Sequence, residues 1–533
     1  MGAGKVSSRE RENLMQLLLT EAIAIDNSCN GKGTCGKCKI KVISGDASSV
    51  CVTEKRLLKP EEIAAGIRLA CLTETVGEVV VELPDGERQY TVLTEGFLPD
   101  FEKDQYQAGY GVAIDIGTTT VVTALIDLRT GRELSDASTI NAQKKYGLDV
   151  LTRITYEIEH PENGIRELRE AIVTSLNQMI AGMCRQSGAD RDEIRQIVVG
   201  ANCTMMHMLL GVDAKPIGQA PYIPVFTEAR ELYAEAAGLA ENRETMLYCL
   251  PSVSGYIGAD IVAGAYVCQL HRETGNVLFI DIGTNGEIVL ATSGTLLCCS
   301  CAAGPALEGM NISAGMRAAE GAVEDVWITG SEVILKTIKD APPAGLCGSG
   351  ILAVVKELLR VGLVKKTGVF IKQETLEPDD GRYHMIRLNG TKREFVLCRD
   401  PELIVTQGDI RQVQLAKGAI LSGVVALLDK AGIGIADLDR VMIAGQFGAH
   451  LPVDSLIGTG ILPAAVKDKV VYVGNSSKTG AYMALMSASA KKGISDLAAA
   501  MEYIELADTE NYERIFTQSM MFPDGSAFQE KVK

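Results

Sequence analysis

Val112-Ala-Ile-Asp-Ile-Gly-Thr-Thr-Thr-Val-Val-Thr-Ala-Leu-Ile-Asp127 is the stretch that decides the fold, and it returns near the middle of the chain as Leu278-Phe-Ile-Asp-Ile-Gly-Thr-Asn-Gly-Glu-Ile-Val-Leu290. Each copy is an apolar strand that ends in an aspartate, Asp115 or Asp281, followed by a glycine–threonine turn and a second apolar strand. One such hairpin is weak evidence, because a tight turn after a buried strand needs glycine for purely local reasons. Two copies in one chain indicate an internal duplication.

The two hairpins also suit the binding of phosphate. Glycine lets the backbone approach closely, turn N–H groups and threonine hydroxyls can donate to phosphate oxygens, and a carboxylate can hold a hydrated magnesium ion. We therefore predict a nucleotide clamped between two halves, with Asp115 and Asp281 holding magnesium-bound water. The predicted phosphate contacts are Gly117, Thr118, Thr119, Gly283, Thr284 and Asn285.

Length and composition bound the class of protein. At 533 residues the chain should hold more than one domain, and 47% hydrophobic with 23% charged residues is typical of an ordinary globular protein. The formal charge of -16 argues against a nucleic-acid or anionic-membrane partner, because phosphate groups attract clustered Lys and Arg.

No membrane span or secretion signal is expected. Residues 288–307 carry no charge and reach the length of a membrane span, but Ser293-Gly294 and Gly304-Pro305 break them into strand, turn, strand and loop. The N-terminus is polar and lacks a signal-peptide pattern, so we predict a cytoplasmic protein. Fourteen cysteines in such a protein indicate metal ligands and buried thiols, not a disulfide framework.

Four cysteines near the N-terminus predict a metal cluster. Cys29, Cys35, Cys38 and Cys71 have the spacing C-x5-C-x2-C-x32-C, and the first three lie in a glycine-rich loop. Three close thiolates and one distant thiolate follow the plan of a [2Fe–2S] ferredoxin, although the first gap is one residue longer than in the plant type. A zinc site would usually show two Cys-x-x-Cys pairs, and four unrelated thiols would not gather in one glycine-rich loop.

The elements around this loop resemble those of a β-grasp ferredoxin, an α+β fold. We predict a helix over residues 13–24, a strand over 39–43, a helical segment over 59–66 and a closing strand over 78–83. The opening hairpin is cut short to residues 5–8, and Cys51 is a spare thiol. This domain spans residues 1–84, and residues 85–108 are predicted to be a tether that lets it swing, or alternatively an ordered loop packed on the next domain.

Other side chains leave more than one role open. Asp260 either caps a helix or faces the cleft, and capping is favoured. His207 is predicted to lie in the core. Cys298, Cys299 and Cys301 are predicted to be buried thiols, because adjacent side chains on an extended segment point to opposite faces. The glycine turn Gly445-Gln446-Phe447-Gly448 is predicted to border the nucleoside.

These stretches together resemble known families. Residues 109–490 look like the acetate/sugar kinase–Hsp70–actin (ASKHA) superfamily, a duplicated α/β fold, here with subdomains at 109–275 and 276–533. With the ferredoxin in front, nearly the whole chain resembles the reductive activators of corrinoid enzymes. The stretches that match this family are Asn141-Ala-Gln, Asp281-Ile-Gly-Thr-Asn-Gly-Glu287, Ala303-Gly304-Pro305-Ala306 and Gly445-Gln446-Phe447-Gly448.

The resemblance implies an activity. Such activators use ATP and Mg²⁺ to return one electron to Co(II) in the corrinoid protein of a methyltransferase system, restoring Co(I), and they take that electron from a donor that the sequence does not identify. A homodimer is expected by resemblance only. Gly304 and Pro305 are implied as contacts of the bound groups, and Ser300 is a candidate for approaching the cobalt, although an ordinary turn serine is the alternative.

Three other functions compete. A 2-hydroxyacyl-CoA dehydratase activator also couples ATP to electron transfer, but it lacks the front ferredoxin. A small-molecule kinase would need a catalytic base and a substrate pocket and no ferredoxin. A plain electron carrier would bind nucleotide without hydrolysing it.

Overall fold

The computed structural model describes residues 3–20, 33, 36, 38–82, 96–106, 108–239, 243–390, 392–445 and 451–523. The predicted cluster ligands Cys29 and Cys35 and the predicted nucleoside contacts Gln446, Phe447 and Gly448 lie outside these residues.

The N-terminal unit is a four-stranded sheet ordered β1-β4-β2-β3, with every neighbouring pair antiparallel. Its strands are β1 (Ala3–Asn13), β2 (Lys39–Ala47), β3 (Ile67–Leu69) and β4 (Glu74–Glu82), and its helices are α1 (Leu14–Thr20), α2 (Val52–Leu57) and α3 (Pro60–Ala64). The expectation of a short opening strand over residues 5–8 is wrong, because β1 continues to Asn13 and pairs along β4 as far as Glu74. The edge of β4 is therefore covered.

The first half of the large unit is a six-stranded sheet with helices packed against it. The strands follow the order β7-β6-β5-β8-β10-β9. They are β5 (Tyr110–Ile116), β6 (Thr120–Asp127), β7 (Arg132–Ile140), β8 (Ile194–Ala201), β9 (Arg230–Tyr233) and β10 (Met246–Cys249), and the helices are α4 (Val150–Glu159), α5 (Gly164–Ser187), α6 (Cys203–Leu210), α7 (Lys215–Gly218) and α8 (Ala259–Val267).

The second half has a matching sheet and two smaller ones. The large sheet is ordered β21-β20-β11-β12-β13-β22, and the small sheets are ordered β15-β14-β16 and β17-β18-β19. The strands are β11 (Val277–Ile282), β12 (Gly286–Thr292), β13 (Thr295–Cys301), β14 (Ala322–Thr329), β15 (Glu332–Thr337), β16 (Gly345–Leu346), β17 (Ile386–Asn389), β18 (Lys392–Arg399), β19 (Glu402–Thr406), β20 (Arg440–Ala444), β21 (Val470–Gly474) and β22 (Met501–Tyr503). The helices are α9 (Gly348–Arg360), α10 (Gln407–Ala431), α11 (Val453–Thr459), α12 (Ser476–Met486), α13 (Ala488–Ala500) and α14 (Tyr512–Ser519).

The two halves repeat one arrangement of strands, which confirms the predicted duplication. Strand β5 lies between the antiparallel β6 and the parallel β8, and β11 lies between the antiparallel β12 and the parallel β20. Asp115 and Asp281 stand next to the last residue of β5 and of β11. Ligands of open α/β sheets bind beyond these carboxyl ends, so the duplication brings both aspartates to one cleft.

Helix α12 links the two halves. It follows β21, which is an edge strand of the second sheet, but it packs against β5, β8 and α8 of the first half. All eleven of its residues are buried. The chain therefore crosses from one half to the other at the junction between Gly474 and Asn475.

Residues 96–106, here called the connector, do not swing freely. The Phe97 N–H donates to the Val473 carbonyl at 2.9 Å, and the Tyr106 hydroxyl donates to the Leu485 carbonyl at 3.0 Å. The tether interpretation is therefore wrong for this stretch, and the alternative of an ordered loop is correct. Residues 85–95 and 107 lie outside the described part of the chain.

Several predictions about buried groups are confirmed. His207 is fully buried and stacks on Phe226 at 4.3 Å between ring centroids. Cys298, Cys299 and Cys301 are buried along β13, and residues 288–307 form strand, turn, strand and loop as predicted. Twelve cysteines lie in the described part of the chain, and none of them forms a disulfide there.

Among the described helices, α10 is the one long and apolar enough to cross a membrane by length and composition. Within its most apolar window, 72% of the residues are buried inside the protein. It is therefore the core helix of the second half, where it packs against β12 and β13.

Candidate functional site

Two of the four predicted cluster ligands lie side by side. The Sγ atoms of Cys38 and Cys71 are 3.2 Å apart and both residues are buried. A disulfide would need about 2.05 Å, so the two thiols are in contact without being bonded. Two buried thiols that converge in this way fit the ligands of a shared metal centre. That Cys29 and Cys35 complete the set remains a prediction.

A buried ion pair fixes the segment that carries Cys71. The Glu54 carboxylate accepts hydrogen bonds from Arg68 Nε and Nη2 at 2.9 and 2.8 Å and from the Leu69 N–H at 3.0 Å. Next to it, the Ala70 N–H donates to the Cys38 carbonyl at 2.9 Å, which joins the two ligand segments directly. Burial alone would raise the pKa of Glu54, but the bonds from Arg68 and from backbone N–H groups hold that pKa below its usual range.

The backbone conformation favours glycine at position 33. Gly33 has a φ of +67°, a left-handed conformation that glycine adopts without steric cost. A Cβ atom there would also lie 2.7 Å from the Cδ2 atom of Leu72, the neighbour of Cys71. Position 33 therefore lies directly against the segment that carries Cys71.

The second candidate site is the cleft between the two halves, a cavity of about 130 Å³. Both aspartates and both glycine–threonine turns line this cavity. The predicted residues that line it are Asp115, Gly117, Thr118, Thr119, Asp281, Gly283, Thr284, Asn285 and Gly445.

Hydrogen bonds to its backbone hold the first glycine–threonine turn in place. The Gly117 N–H donates to the Thr120 carbonyl at 2.9 Å, and the fully buried Asn141 donates through Nδ2 to the Gly117 carbonyl at 2.8 Å. Arg153, also fully buried, donates through Nη2 to the Thr118 carbonyl at 2.5 Å. Burial lowers the pKa of this guanidinium to about 9. With its carbonyls bonded in this way, the turn has a fixed shape before any ligand arrives.

The start of α12 reaches Asp115 from the other side. Ser477 Oγ donates to Asp115 Oδ1 at 2.7 Å, and Asn475 Nδ2 donates to Asp115 Oδ2 at 3.0 Å. Gly200 makes this approach possible, because a Cβ atom there would lie 2.8 Å from Ser477 Oγ. Asp115 is therefore held by the element that crosses between the halves.

The second turn is set against β20. Gly445 has a φ of +88°, and a Cβ atom there would lie 2.4 Å from Asp281 Oδ1. It therefore borders the aspartate, and its predicted contact with a nucleoside remains a prediction. Across the hairpin, Glu287 pairs with Asp281 in the antiparallel register and also lines the cleft.

Glu308 contacts the second turn. It is 2% exposed, lines the cleft, and accepts a hydrogen bond from the Thr284 hydroxyl of that turn. Burial raises the pKa of Glu308, and the bond from Thr284 and the positive charge of Arg317 oppose that rise. One of the threonines predicted to donate to phosphate therefore donates to a carboxylate in this structure.

The cleft concentrates carboxylates and so raises their pKa values. Burial, followed by the charges of Asp281 and Asp115, raises the pKa of Asp260 to about 8. Burial and Asp115 raise that of Asp281 to about 7, and the pKa of Glu287 lies well above its usual value for the same reasons. Carboxylate oxygens gathered in this way favour a hard divalent cation, although the described residues include no group of three or more His, Cys, Asp or Glu side chains placed to hold a metal ion directly. Binding of Mg²⁺ through magnesium-bound water therefore remains a prediction.

Some predicted residues lie elsewhere, and one role is corrected. Gly304 is the N-cap and Pro305 the first residue of the 3-10 helix Pro305–Glu308, and neither lines the cleft. Ser300 also lies outside the lining, although it pairs with Glu287 in the neighbouring strand. Asp260 faces the cleft and does not cap α8, because the N-cap position belongs to Gly258.

Other cleft residues were assigned no role from the sequence. They are Asn202, Glu287, Glu308, Asn475, Ser476 and Ser477. A partial signal existed for Asn202, since it follows a buried strand and begins a helix. It caps α6 and donates to Thr118 Oγ1 at 3.0 Å.

Family models cover almost the whole chain. Residues 3–75 match a model described as a 2Fe-2S iron-sulfur cluster binding domain, residues 110–273 match one for the RACo middle region, and residues 275–533 match one for the C-terminal ASKHA domain of RACo. The corrinoid activation enzyme RamQ of Eubacterium limosum is 35% identical over 451 residues, which is 83% of this chain and 75% of that protein. This chain belongs to the family of reductive activators of corrinoid proteins.

Two further relatives agree with that membership. The reductase of Co(II) methylated amine-specific corrinoid protein from Methanosarcina barkeri is 24% identical over 76% of each chain. A solved structure of a reductive activator for corrinoid, iron-sulfur protein superposes with a TM-score of 0.69 at 31% identity and covers 96% of both chains. The predicted fold, a ferredoxin followed by an ASKHA unit, is thereby confirmed.

Proposed function

We propose that this activator uses ATP to transfer one electron from its N-terminal unit to Co(II) in the corrinoid protein of a methyltransferase system, restoring Co(I). The observation that carries the proposal is the union in one chain of two converging cluster thiols, Cys38 and Cys71, with a carboxylate-lined cleft between duplicated turns. A cluster site alone does not need a nucleotide cleft, and a nucleotide cleft alone does not need a cluster.

The cleft would bind Mg·ATP through the chain's own groups. Asp115 and Asp281 would hold magnesium-bound water, and the turns at residues 117–119 and 283–285 would donate to phosphate oxygens. The N–H groups at the start of α6, beside Asn202, add further donors, because helix N-termini favour anions. Glu308 would have to give up the Thr284 hydroxyl when phosphate enters.

The N-terminal unit would hold the cluster through Cys38 and Cys71, together with Cys29 and Cys35. A bound [2Fe–2S] cluster would supply a one-electron carrier with a potential of about −400 mV in the plant-type class. The Glu54–Arg68 pair would keep the Cys71 segment in place while the charge of the site changes.

ATP would be needed because the electron moves uphill. Each ~59 mV of a one-electron gap costs about 1.4 kcal/mol, so a gap of ~150 mV would cost about 3.5 kcal/mol. ATP turnover would have to supply this energy, and coupling free energies between two sites of a protein are nearly of that size. The activator would bind the Co(II) protein more tightly than the Co(I) protein. This preference by itself lowers the cobalt potential in the complex, so ATP turnover would offset it and drive release.

The test is the variant Asp281→Ala. It should leave the visible spectrum of the cluster and the iron content unchanged while it abolishes ATP-dependent reduction of Co(II). Lys336→Ala is a suitable control, because its side chain is 57% exposed on a separate small sheet. Undiminished Co(I) formation by Asp281→Ala would refute the assignment of the cleft.

The same material separates this function from its rivals. A dehydratase activator would hold one cubane cluster between two subunits, which is also two irons per chain. Electron paramagnetic resonance, and not iron counting, therefore distinguishes it from a [2Fe–2S] cluster in each chain. A kinase would form a phosphorylated small molecule, and a plain carrier would bind ATP without releasing ADP. ADP release that requires the corrinoid protein supports the proposal.

The cellular setting is also part of the proposal. We propose a cytoplasmic homodimer that serves one corrinoid protein, receives electrons from a separate donor and contacts neither nucleic acid nor membrane. The formal charge of -16 argues against an anionic partner, and the absence of disulfides among the described cysteines is typical of a reducing compartment.

A further inference from the structure

The connector is fastened to the point where the chain crosses between the two halves. Gly96 forms an antiparallel bridge with Gly474, and the Phe97 N–H donates to the Val473 carbonyl at 2.9 Å. A Cβ atom at Gly96 would lie 2.4 Å from the Asn475 carbonyl oxygen and 2.5 Å from Thr479 Oγ1. Only glycine therefore allows the connector to lie against this junction.

The same junction lines the nucleotide cleft. Asn475 donates through Nδ2 to Asp115 at 3.0 Å, while its backbone carbonyl contacts Gly96. One residue therefore touches the proposed magnesium ligand on one side and the start of the connector on the other. Gly474, beside it, ends a strand of the second half, and Ser476 begins a helix packed in the first half.

The far end of the connector is fixed separately. The Asp104 N–H donates to the Met486 carbonyl at 2.8 Å, and Asp104 Oδ2 accepts from the Ala488 N–H at 2.8 Å. Between the ends, Phe101 packs edge-on against Tyr482, with 5.9 Å between ring centroids. The connector thus follows the buried helix α12 from its first turn to its last. One end of the connector contacts the junction between the two halves, and the other end contacts the last turn of α12.

We propose that Gly96 and Asn475 are positioning residues that form a nucleotide-sensitive latch between the connector and the hinge of the nucleotide unit. The proposal rests on the proposed function. Mg²⁺ and phosphate that engage Asp115 would compete with Asn475 for the carboxylate and turn one half against the other at Gly474. The bridge from Gly96 to Gly474 would then open, while the contacts of Asp104 and Tyr106 would move with α12 and persist. The ferredoxin-like unit would gain reach only when the cleft is loaded.

Amide hydrogen exchange on the full-length, cluster-loaded chain tests the latch, with and without Mg²⁺ and a non-hydrolysable ATP analogue. The peptide that contains the Phe97 amide should exchange at least about fivefold faster with the analogue, because a local opening sets its rate. The peptide that contains the Asp104 amide should not change. An unchanged Phe97 peptide, or an equal increase at Phe97 and Asp104, would overturn the proposal.

Two variants sharpen the test. Gly96→Ala should open the latch permanently, so that the Phe97 peptide exchanges fast without nucleotide and responds no further. Gly182→Ala adds the same methyl group where the nearest atom is 4.0 Å away, and it should behave like the unaltered chain. A Gly96→Ala chain that keeps slow, nucleotide-dependent exchange would contradict the latch. The unaltered chain alone still decides the question if Gly96→Ala does not fold.

Failure of the latch and failure of the proposed function can be told apart. If nucleotide binds the cleft, peptides that contain residues 117–119 and 283–285 become protected. Protection there without a response at Phe97 refutes only the latch. No protection at either turn means that the cleft does not bind nucleotide, which refutes the proposed function itself.

Discussion

Glu54 is expected to decide the stability of the N-terminal unit. Each of its carboxylate oxygens accepts two hydrogen bonds: Oε1 from Arg68 Nε and the Leu69 N–H, and Oε2 from Arg68 Nη2 and the Cys51 N–H, all at 2.8–3.0 Å. In Glu54→Gln, an NH₂ group replaces one of the two carboxylate oxygens. Whichever oxygen is replaced, the new N–H groups face two hydrogen-bond donors. Breaking a buried ion pair on one side costs about 3–5 kcal/mol.

That loss is large for a unit of this size. Whole domains are typically stable by about 5–15 kcal/mol, and the described residues of this unit contribute a dozen hydrophobic side chains to its buried core. With a urea dependence of about 1–2 kcal/mol per molar, the midpoint should fall by roughly 1.5–5 M. A urea titration of the full-length chain, followed by the visible absorption of the bound cluster, measures this shift.

Glu62→Gln is the matched control. Glu62 also pairs with a cation, Lys39 at 2.6 Å, but the two side chains are 23% and 37% exposed. Its loss should cost about 0–1 kcal/mol. If Glu54→Gln and Glu62→Gln shift the midpoint equally, the buried pair does not support the ligand segment.

The pH dependence of stability is a second test of the contribution that Glu54 makes. The pKa of Glu54 lies below its usual value, because the bonds from Arg68 and the backbone outweigh burial. Its stabilising effect is therefore complete above the pKa of the unfolded chain, about 4.3, and is lost as the pH falls through the lower pKa of the folded state. The unaltered chain and Glu54→Gln should converge in acid.

Three further predictions concern the cleft. Binding of Mg·ADP at pH 7 should release protons. The pKa values of Asp281 and Asp260 are raised to about 7 and about 8, and a bound cation favours their charged forms. Calorimetry in buffers of different ionisation enthalpy measures this release, and a result of no release would contradict the prediction. Asp260→Asn should stabilise the nucleotide-free chain by about 1–3 kcal/mol at pH 8. The pKa of Asp260 is higher in the folded than in the unfolded chain, so the native carboxylate becomes increasingly costly between pH 4 and 8. A gain in Tm that does not grow with pH would count against this prediction. Arg153→Met should lower stability by about 2–4 kcal/mol, because it leaves the buried carbonyls of Thr118 and Gly147 without donors, whereas Arg166→Met, at a side chain that is 63% exposed, should change the Tm little.

The sequence reveals the parts of the fold that local patterns encode. The two hairpins around Asp115 and Asp281 follow from an apolar strand, an aspartate and a glycine turn, and each pattern is contained in about a dozen residues. Their convergence in one cleft follows from the duplication. The burial of His207 and of the cysteines in β13 likewise follows from their apolar neighbours.

What the sequence did not reveal depends on contacts between distant segments. Asn475 and Ser477 meet Asp115 only because α12 leaves the second half and packs in the first. The connector looked like a tether because its residues are polar and lack periodicity, yet its backbone bonds to Val473 and Met486 hold it. Glu308 carries no motif of its own, and its role appears only when the Thr284 hydroxyl contacts it.

The most direct test of the account measures Co(I) at a fixed solution potential. The full-length activator and a corrinoid protein in the Co(II) state are held anaerobically at a fixed solution potential close to that of the [2Fe–2S] centre, and Co(I) is measured by its visible spectrum with ATP, with ADP and without nucleotide. The account predicts that Co(I) accumulates with ATP and not with ADP or without nucleotide. Equal amounts of Co(I) under all three conditions would contradict the claim that ATP drives this electron transfer.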